Sequence, residues 1–196
     1  MENRKYKLDL NDSIVIRDHK LYRIIALVYM TNASKGDKGG YIESEKNLSH
    51  EGNAWVGDNA CVFGDARVFG DAYVSGDARV YGYAYIYGDS HIFGNANIYD
   101  NAEVYGNAEV YDNAEVYGAA DIYGNAEVYG YAQIYEAAEI CDYAKVYGSA
   151  EVYENAEIFG DAEVFESARV YGNAEVCGLA KVNDNRCVCG NEFIEK

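Results

Sequence analysis

Basic side chains are scarce in this sequence. Sixteen Lys and Arg stand against 33 Asp and Glu, a net charge of −17. The deficit is local. Residues 1–51 carry nine bases and eight acids, whereas residues 52–196 carry seven and 25. Acidity on that scale argues against direct nucleic-acid binding and suits a basic partner. No apolar run is long enough for a membrane span and no N-terminal leader pattern appears, so no membrane contact and a cytoplasmic location are expected. The five cysteines are odd in number and form no Cys-x-x-Cys pair. Cys141 and Cys177 fall two turns apart on one edge of the repeat described next, about 9.6 Å and beyond disulfide reach. Cys187 and Cys189 flank an inward Val188. Free thiols in a reducing compartment are the expectation, with no metal or cofactor. A metal site drawing on Cys177, Cys187 and Cys189 is the minor alternative.

What the sequence has in quantity is one six-residue phrase. Residues 52–195 repeat it without interruption, as in Gly64-Asp65-Ala66-Arg67-Val68-Phe69, and 144 residues divided by six gives 24 copies. The fifth position is Val or Ile in every copy, and the third is Ala except at Ser90, Arg186 and Glu192. The sixth is Phe or Tyr in 17 copies. A small and a branched residue two apart, with a variable one between, is strand alternation with both pointing inward. The Gly/Asp and Asn/Asp pair that opens each phrase is turn chemistry. A fixed short period of this kind is a solenoid. Three phrases make an 18-residue triangular turn, so eight turns are expected, stacked at about 4.8 Å into roughly 38 Å of rod. Its narrow core is filled by Ala, Val and Ile. The fold class is therefore all-β, a parallel β-helix over residues 52–196 preceded by a β cap and an irregular first turn over residues 1–51.

This phrase resembles that of the hexapeptide-repeat, left-handed parallel β-helix family, in which a small residue lies two positions before an inward aliphatic one, as in Ala108-Glu109-Val110. The family often has Gly, Glu or Asp after the aliphatic residue, where this chain has Tyr or Phe. The left hand is implied by that resemblance alone, since the usual crossover rule favours the right; a right-handed β-helix is the alternative. The head of the chain (residues 21–27, 35–37, 39–49 and 52–56) is similar to poorly characterised phage and prophage hexapeptide proteins, which implies a viral or mobile-element setting. It brings no catalytic residue with it.

Before the repeat, residues 1–30 read as a β-meander. Residues 6–10, 14–16 and 21–29 are strand-like, joined by turns at Asn11-Asp12-Ser13 and at residues 17–20, where His19 is read as solvated. The simplest role is to cover the open first turn. A polar loop follows over residues 31–40, and Ile42 and Leu48 fall in the register of the later Ala column. At the far end Arg186 and Glu192 occupy the inward small column, where a buried charge is costly, so residues 184–196 are read as a frayed or capped turn.

Stacked residues are 18 apart, which sorts the outward fourth positions into three faces. The first runs Trp55, Tyr73, His91, Glu109, Glu127, Lys145, Glu163, Lys181. The second runs Cys61, Arg79, Asn97, Glu115, Gln133, Glu151, Arg169, Cys187. Both interrupt their acids. The third does not: Glu103, Asp121, Glu139, Glu157 and Glu175 follow one another, and Asp100, Glu136 and Glu154 open repeats on the same face. Eight acids and no base span five turns. Like charges stacked at about 4.8 Å repel, so folding alone does not favour this column. It serves either as a solvated face or as a docking surface for the basic groove of a protein partner. Bare carboxylates lack the varied oxygens of a calcium loop. The aromatic sixth positions form three edges whose stacking stabilises the rod.

Three functions are compatible with these features. The first is a non-enzymatic acidic binding protein, a nucleic-acid mimic blocking a host defence or nucleic-acid-binding protein. The second is an acyltransferase, which the family resemblance implies as a trimer with a His base. Here His91 is the one His in the repeat, beside Glu109, and no insertion supplies a loop over an acyl carrier. The third is a structural module of a virion or filament. Self-association into a homo-oligomer is left open. The first reading is adopted, with the eight acids as its site.

Overall fold

A computed structural model describes residues 4–196. Each repeat contributes one short strand from its fourth and fifth residues, as in Glu109–Val110. The 24 strands from Trp55–Val56 to Phe193–Glu195 stack three to a turn, making eight regular turns. Partners are parallel and 18 residues apart: Glu109 pairs with His91 on one side and Glu127 on the other. Backbone bonds run from turn to turn, for example Glu109 N to Ala126 O at 2.9 Å and Tyr111 N to Val128 O at 3.0 Å. The inward Ala and Val/Ile columns are fully buried from Ala54 to Val176. No helix among the described residues is long and apolar enough to cross a membrane.

The corners explain the first position of the phrase. All 24 first-position residues have positive φ, between 51° and 79°. Sixteen are Gly and the other eight are all Asp or Glu: Asp58, Asp100, Asp112, Glu136, Asp142, Glu154, Glu166 and Asp184. A left-handed residue with a side chain is strained by about 1 kcal/mol. At Asp58, Glu136, Asp142 and Glu166 the carboxylate offsets this by accepting from the amide one turn later. Gly76 N donates to Asp58 Oδ2 at 3.0 Å, Glu154 N to Glu136 Oε2 at 2.9 Å and Asp184 N to Glu166 Oε2 at 2.9 Å.

Three sheets result, one of 11 strands and two of eight. The long one gains strands β1 (Tyr6–Ile16), β2 (His19–Ala26) and β3 (Lys38–Ile42) at its head. Strands β1 and β2 are antiparallel, as are β2 and β3, while β3 is parallel to Cys61–Val62. The expected turn at Asn11-Asp12-Ser13 is instead a bulge within β1, between Asp9 and Ser13. Asp12 holds it there by accepting from Arg23 Nε at 3.0 Å and from the Tyr41 hydroxyl at 3.2 Å. The third antiparallel strand is therefore β3, and β2 ends at Ala26. His19 lies in β2, not in a solvated turn, with Nδ1 3.0 Å from Glu43 Oε2. Ile42 and Leu48 do not extend the Ala column. They pair with Val62 and Val68, 20 residues on, and so head the aliphatic columns. Residues 49–53 absorb the two-residue excess.

This first, irregular turn also satisfies the carbonyls of the regular turn beneath it. Ala60 O accepts from Tyr41 N at 2.8 Å, Ala54 O from Lys5 Nζ at 2.6 Å and Ala66 O from Asn47 Nδ2 at 2.9 Å. Each face of the triangle thus receives at least one donor. Burial pushes the Lys5 ammonium down to about 8, only partly opposed by Asp71. At the other end the final turn keeps its strands Cys187–Val188 and Phe193–Glu195, and Arg186 and Glu192 are exposed. Neither charge enters the core. All five cysteines are free: Cys61 and Cys177 are buried, Cys141 and Cys189 half-buried and Cys187 exposed.

Candidate functional site

The third face is built by the same strand register as the other two, so its outward residues are forced into line. Glu103 pairs with Asp121, Asp121 with Glu139, Glu139 with Glu157 and Glu157 with Glu175. Asp100, Glu136 and Glu154 lie elsewhere, at the left-handed corner that borders this face, with φ of 59°, 60° and 61°. Glu136 is already engaged by the Glu154 amide. The eight acids thus divide into a column of five and a corner of three.

The neighbouring faces pair three of their five strand acids with a base, while among the described residues Glu109 and Glu115 stay without one. Lys145 Nζ lies 2.9 Å from Glu127, Lys181 Nζ 2.7 Å from Glu163, and Arg169 Nη2 3.3 Å from Glu151. Among the described residues none of the five column acids pairs with a base. Two of the five accept from tyrosines of the adjoining edge. The Tyr87 hydroxyl donates to Glu103 Oε2 at 3.1 Å and the Tyr123 hydroxyl to Glu139 Oε2 at 3.3 Å. A Tyr at i with Glu at i+16 is legible in the phrase once its three-sided register is known. Burial, then the Glu103 bond and charge, push the Tyr87 phenol up to about 12.

The column carries an electrostatic cost. The Asp121 carboxyl is raised above the usual range by partial burial and then by Glu103 and Glu139. That of Glu157 is raised by burial and then by Glu139 and Glu175. A carboxyl raised in the folded state binds its proton more tightly there than in the unfolded chain. These two groups therefore add stability as pH falls from 7 towards the ordinary carboxylate range. Thermal melts at pH 7 and pH 5 should show that gain for the native chain and a smaller one for Asp121→Asn/Glu157→Gln. An identical gain in both would remove the repulsion from the account.

The aromatic edges form stacked ladders, one of them interrupted at Cys141. On the longest, seven rings from Phe63 to Tyr171 stack with centroids 4.8–5.1 Å apart. His91 does not form a hydrogen-bonded pair with Glu109. Its Nε2 lies 3.2 Å from Ser75 Oγ, and its ring stacks on Tyr73 at 5.0 Å and tilts against Phe93 at 4.4 Å. Burial lowers its pKa more than Glu109 raises it. No group of three or more His, Cys, Asp or Glu among the described residues is placed to hold a metal ion. No known family model and no curated protein sequence matches the chain.

Proposed function

We propose that the protein is a non-enzymatic acidic binding protein whose third face docks into the basic groove of a protein partner, as a nucleic-acid mimic. The observation that carries this reading is the column of five carboxylates without a base, on a rod whose other two faces pair three of their five strand acids. The spacing supports it. Five turns at about 4.8 Å span about 24 Å. The five column acids stand one per turn, about 4.8 Å apart, on the scale of the roughly 3.4 Å per charge of one nucleic-acid strand. A rigid rod presents these charges with little ordering cost on binding. The similarity of the head to phage and prophage hexapeptide proteins favours a host defence or nucleic-acid-binding protein as partner, met in the host cytoplasm.

The test is a pull-down from host lysate at low and high salt. One bait is the native chain and the other has Glu103, Asp121, Glu139, Glu157 and Glu175 neutralised to Gln or Asn. Capture by the native bait alone, reversed by salt, supports the proposal. Equal capture by both baits rejects it.

The acyltransferase alternative rests on His91. Because its Nε2 is engaged by Ser75 and its ring lies between two aromatics, His91→Ala should leave partner capture intact. It should also leave acetyl-CoA turnover at the background level of the native protein. Turnover by the native chain that disappears in His91→Ala would restore the enzyme reading.

A further inference from the structure

The first face carries a feature that neither folding nor the acidic column uses. Position two of the phrase is a turn site, filled on this edge mostly by Asn or Asp. At Tyr143 and Leu179 it is not, and these side chains stand 60% and 65% exposed, two turns apart. Large apolar groups at a polar turn gain nothing from burial there. Between this line and the strand residues beside it lies a groove of about 640 Å³. That volume is within the range of small-ligand sites.

The wall opposite Tyr143 is a ladder of alternating charge, Glu127, Lys145, Glu163 and Lys181, one residue per turn. Its charges are matched in pairs at 2.9 and 2.7 Å. The bond from Lys181 holds Glu163 below the usual carboxylate range, and the bond to Glu127 holds Lys145 above the usual ammonium range. Both therefore stay ionised around neutral pH.

We infer that this groove binds a neutral oligosaccharide, with the Tyr143 ring as the platform on which a sugar ring lies. An anionic ligand would meet Glu127, Glu163 and Asp161, and a cationic one would meet Lys145 and Lys181. A neutral polyol meets acceptors and donors alternately, one of each per two turns, and can satisfy both. The negative face of an exposed phenol ring attracts the polarised C–H groups on the flat side of a sugar. An extended peptide fits less well, because the backbone donors here are consumed between turns. Tyr143 N donates to Gly160 O at 2.9 Å and Lys145 N to Ala162 O at 2.9 Å. Only side chains remain to read a ligand, which is how hydroxyl-rich molecules are recognised.

A built-in control exists. Tyr131 occupies the same turn position on the second face and is 67% exposed, but the strand residues nearest it are Glu115, Gln133 and Glu151, with no lysine. The experiment is a titration of the isotope-labelled full chain with maltohexaose, cellohexaose and chitohexaose, followed by NMR chemical shifts. At least one should bind saturably, with a Kd on the order of millimolar for so open a site. The shifts should centre on Tyr143, Lys145 and Leu179. Tyr143→Ala should weaken binding at least tenfold, Lys145→Met several-fold, and Tyr131→Ala not at all. Both tyrosines are exposed, so loss of fold does not confound the comparison. Saturation by none of the three sugars overturns the inference. So does binding that survives Tyr143→Ala, or that falls equally in Tyr131→Ala.

Discussion

Placing an aspartate at Val116 breaks the rod in its middle. Val116 is fully buried and stacks between Ile98 and Ile134 in the inward column of the second face. A carboxylate there has no base within the Ala/Val/Ile core. Burying it unpaired costs on the order of 4 kcal/mol or more. The geometry magnifies the damage. Each turn of a solenoid touches only its neighbours, so a failed turn separates the two halves instead of being bridged by distant contacts. The half beyond Val116 then has no cap. Circular dichroism melts of Val116→Asp should show a large fall in midpoint or no cooperative transition. Glu115→Gln, one residue away but outward, should melt like the native chain. A native-like melt for Val116→Asp would refute the inward assignment of the fifth position.

Replacing Asn47 by Leu unseals the head of the rod. Asn47 is fully buried, and its Nδ2 serves Gly64 O at 3.1 Å and Ala66 O at 2.9 Å, while its Oδ1 accepts from Ser44 N at 2.9 Å. Leucine is of similar size but leaves three backbone groups without partners. Each costs about 1–3 kcal/mol when buried, so a total of about 3 kcal/mol or more is expected. The site of the loss differs from that of Val116→Asp. A terminal turn can open alone, so amide exchange should accelerate around residues 38–69 and stay slow in the middle turns. Uniform acceleration along the chain would mean that the head and the rod unfold as one unit. Unchanged exchange would mean that Asn47 seals nothing.

These two residues mark how far the sequence can be read. Val116 belongs to a column that repeats 24 times, and period six with an inward pair specifies both the strand and its partners 18 residues away. Asn47 occurs once. In sequence it is one polar residue among several in a loop, and only the three-dimensional meeting of chain head and first turn reveals its donors as replacements for a missing turn. Lys5 was hidden in the same way. The register of Ile42 and Leu48 departs from the sequence expectation for a related reason. Periodicity assumes a constant turn length, and the first turn is two residues longer. The bulge in β1 depends on Arg23 and Tyr41, which lie far along the chain from Asp12. At the candidate site the column of five acids follows from the period, because register is all it needs. The roles of Asp58, Glu136 and Glu166 as amide acceptors at left-handed corners required the backbone geometry, although the restriction of every non-glycine first position to Asp or Glu was visible in the letters.

The proposal that the acidic column is a docking surface is tested most directly by comparing two paired substitutions of equal formal charge. Glu139 and Glu157 lie side by side in the column, with no base near them. Glu115 and Glu151 lie on the second face, where Gln133 separates them and Arg169 already neutralises Glu151. The measurement is the affinity of each double Gln variant for the captured basic partner, at two salt concentrations. Close charge pairs across an interface are worth from about 1.5 kcal/mol upwards, so Glu139→Gln/Glu157→Gln should weaken binding by at least about tenfold. Its stability should hold or rise, because like-charge repulsion is relieved. Glu115→Gln/Glu151→Gln should change affinity little. Equal losses from the two pairs, or no loss from either, would contradict the assignment of the third face as the docking surface.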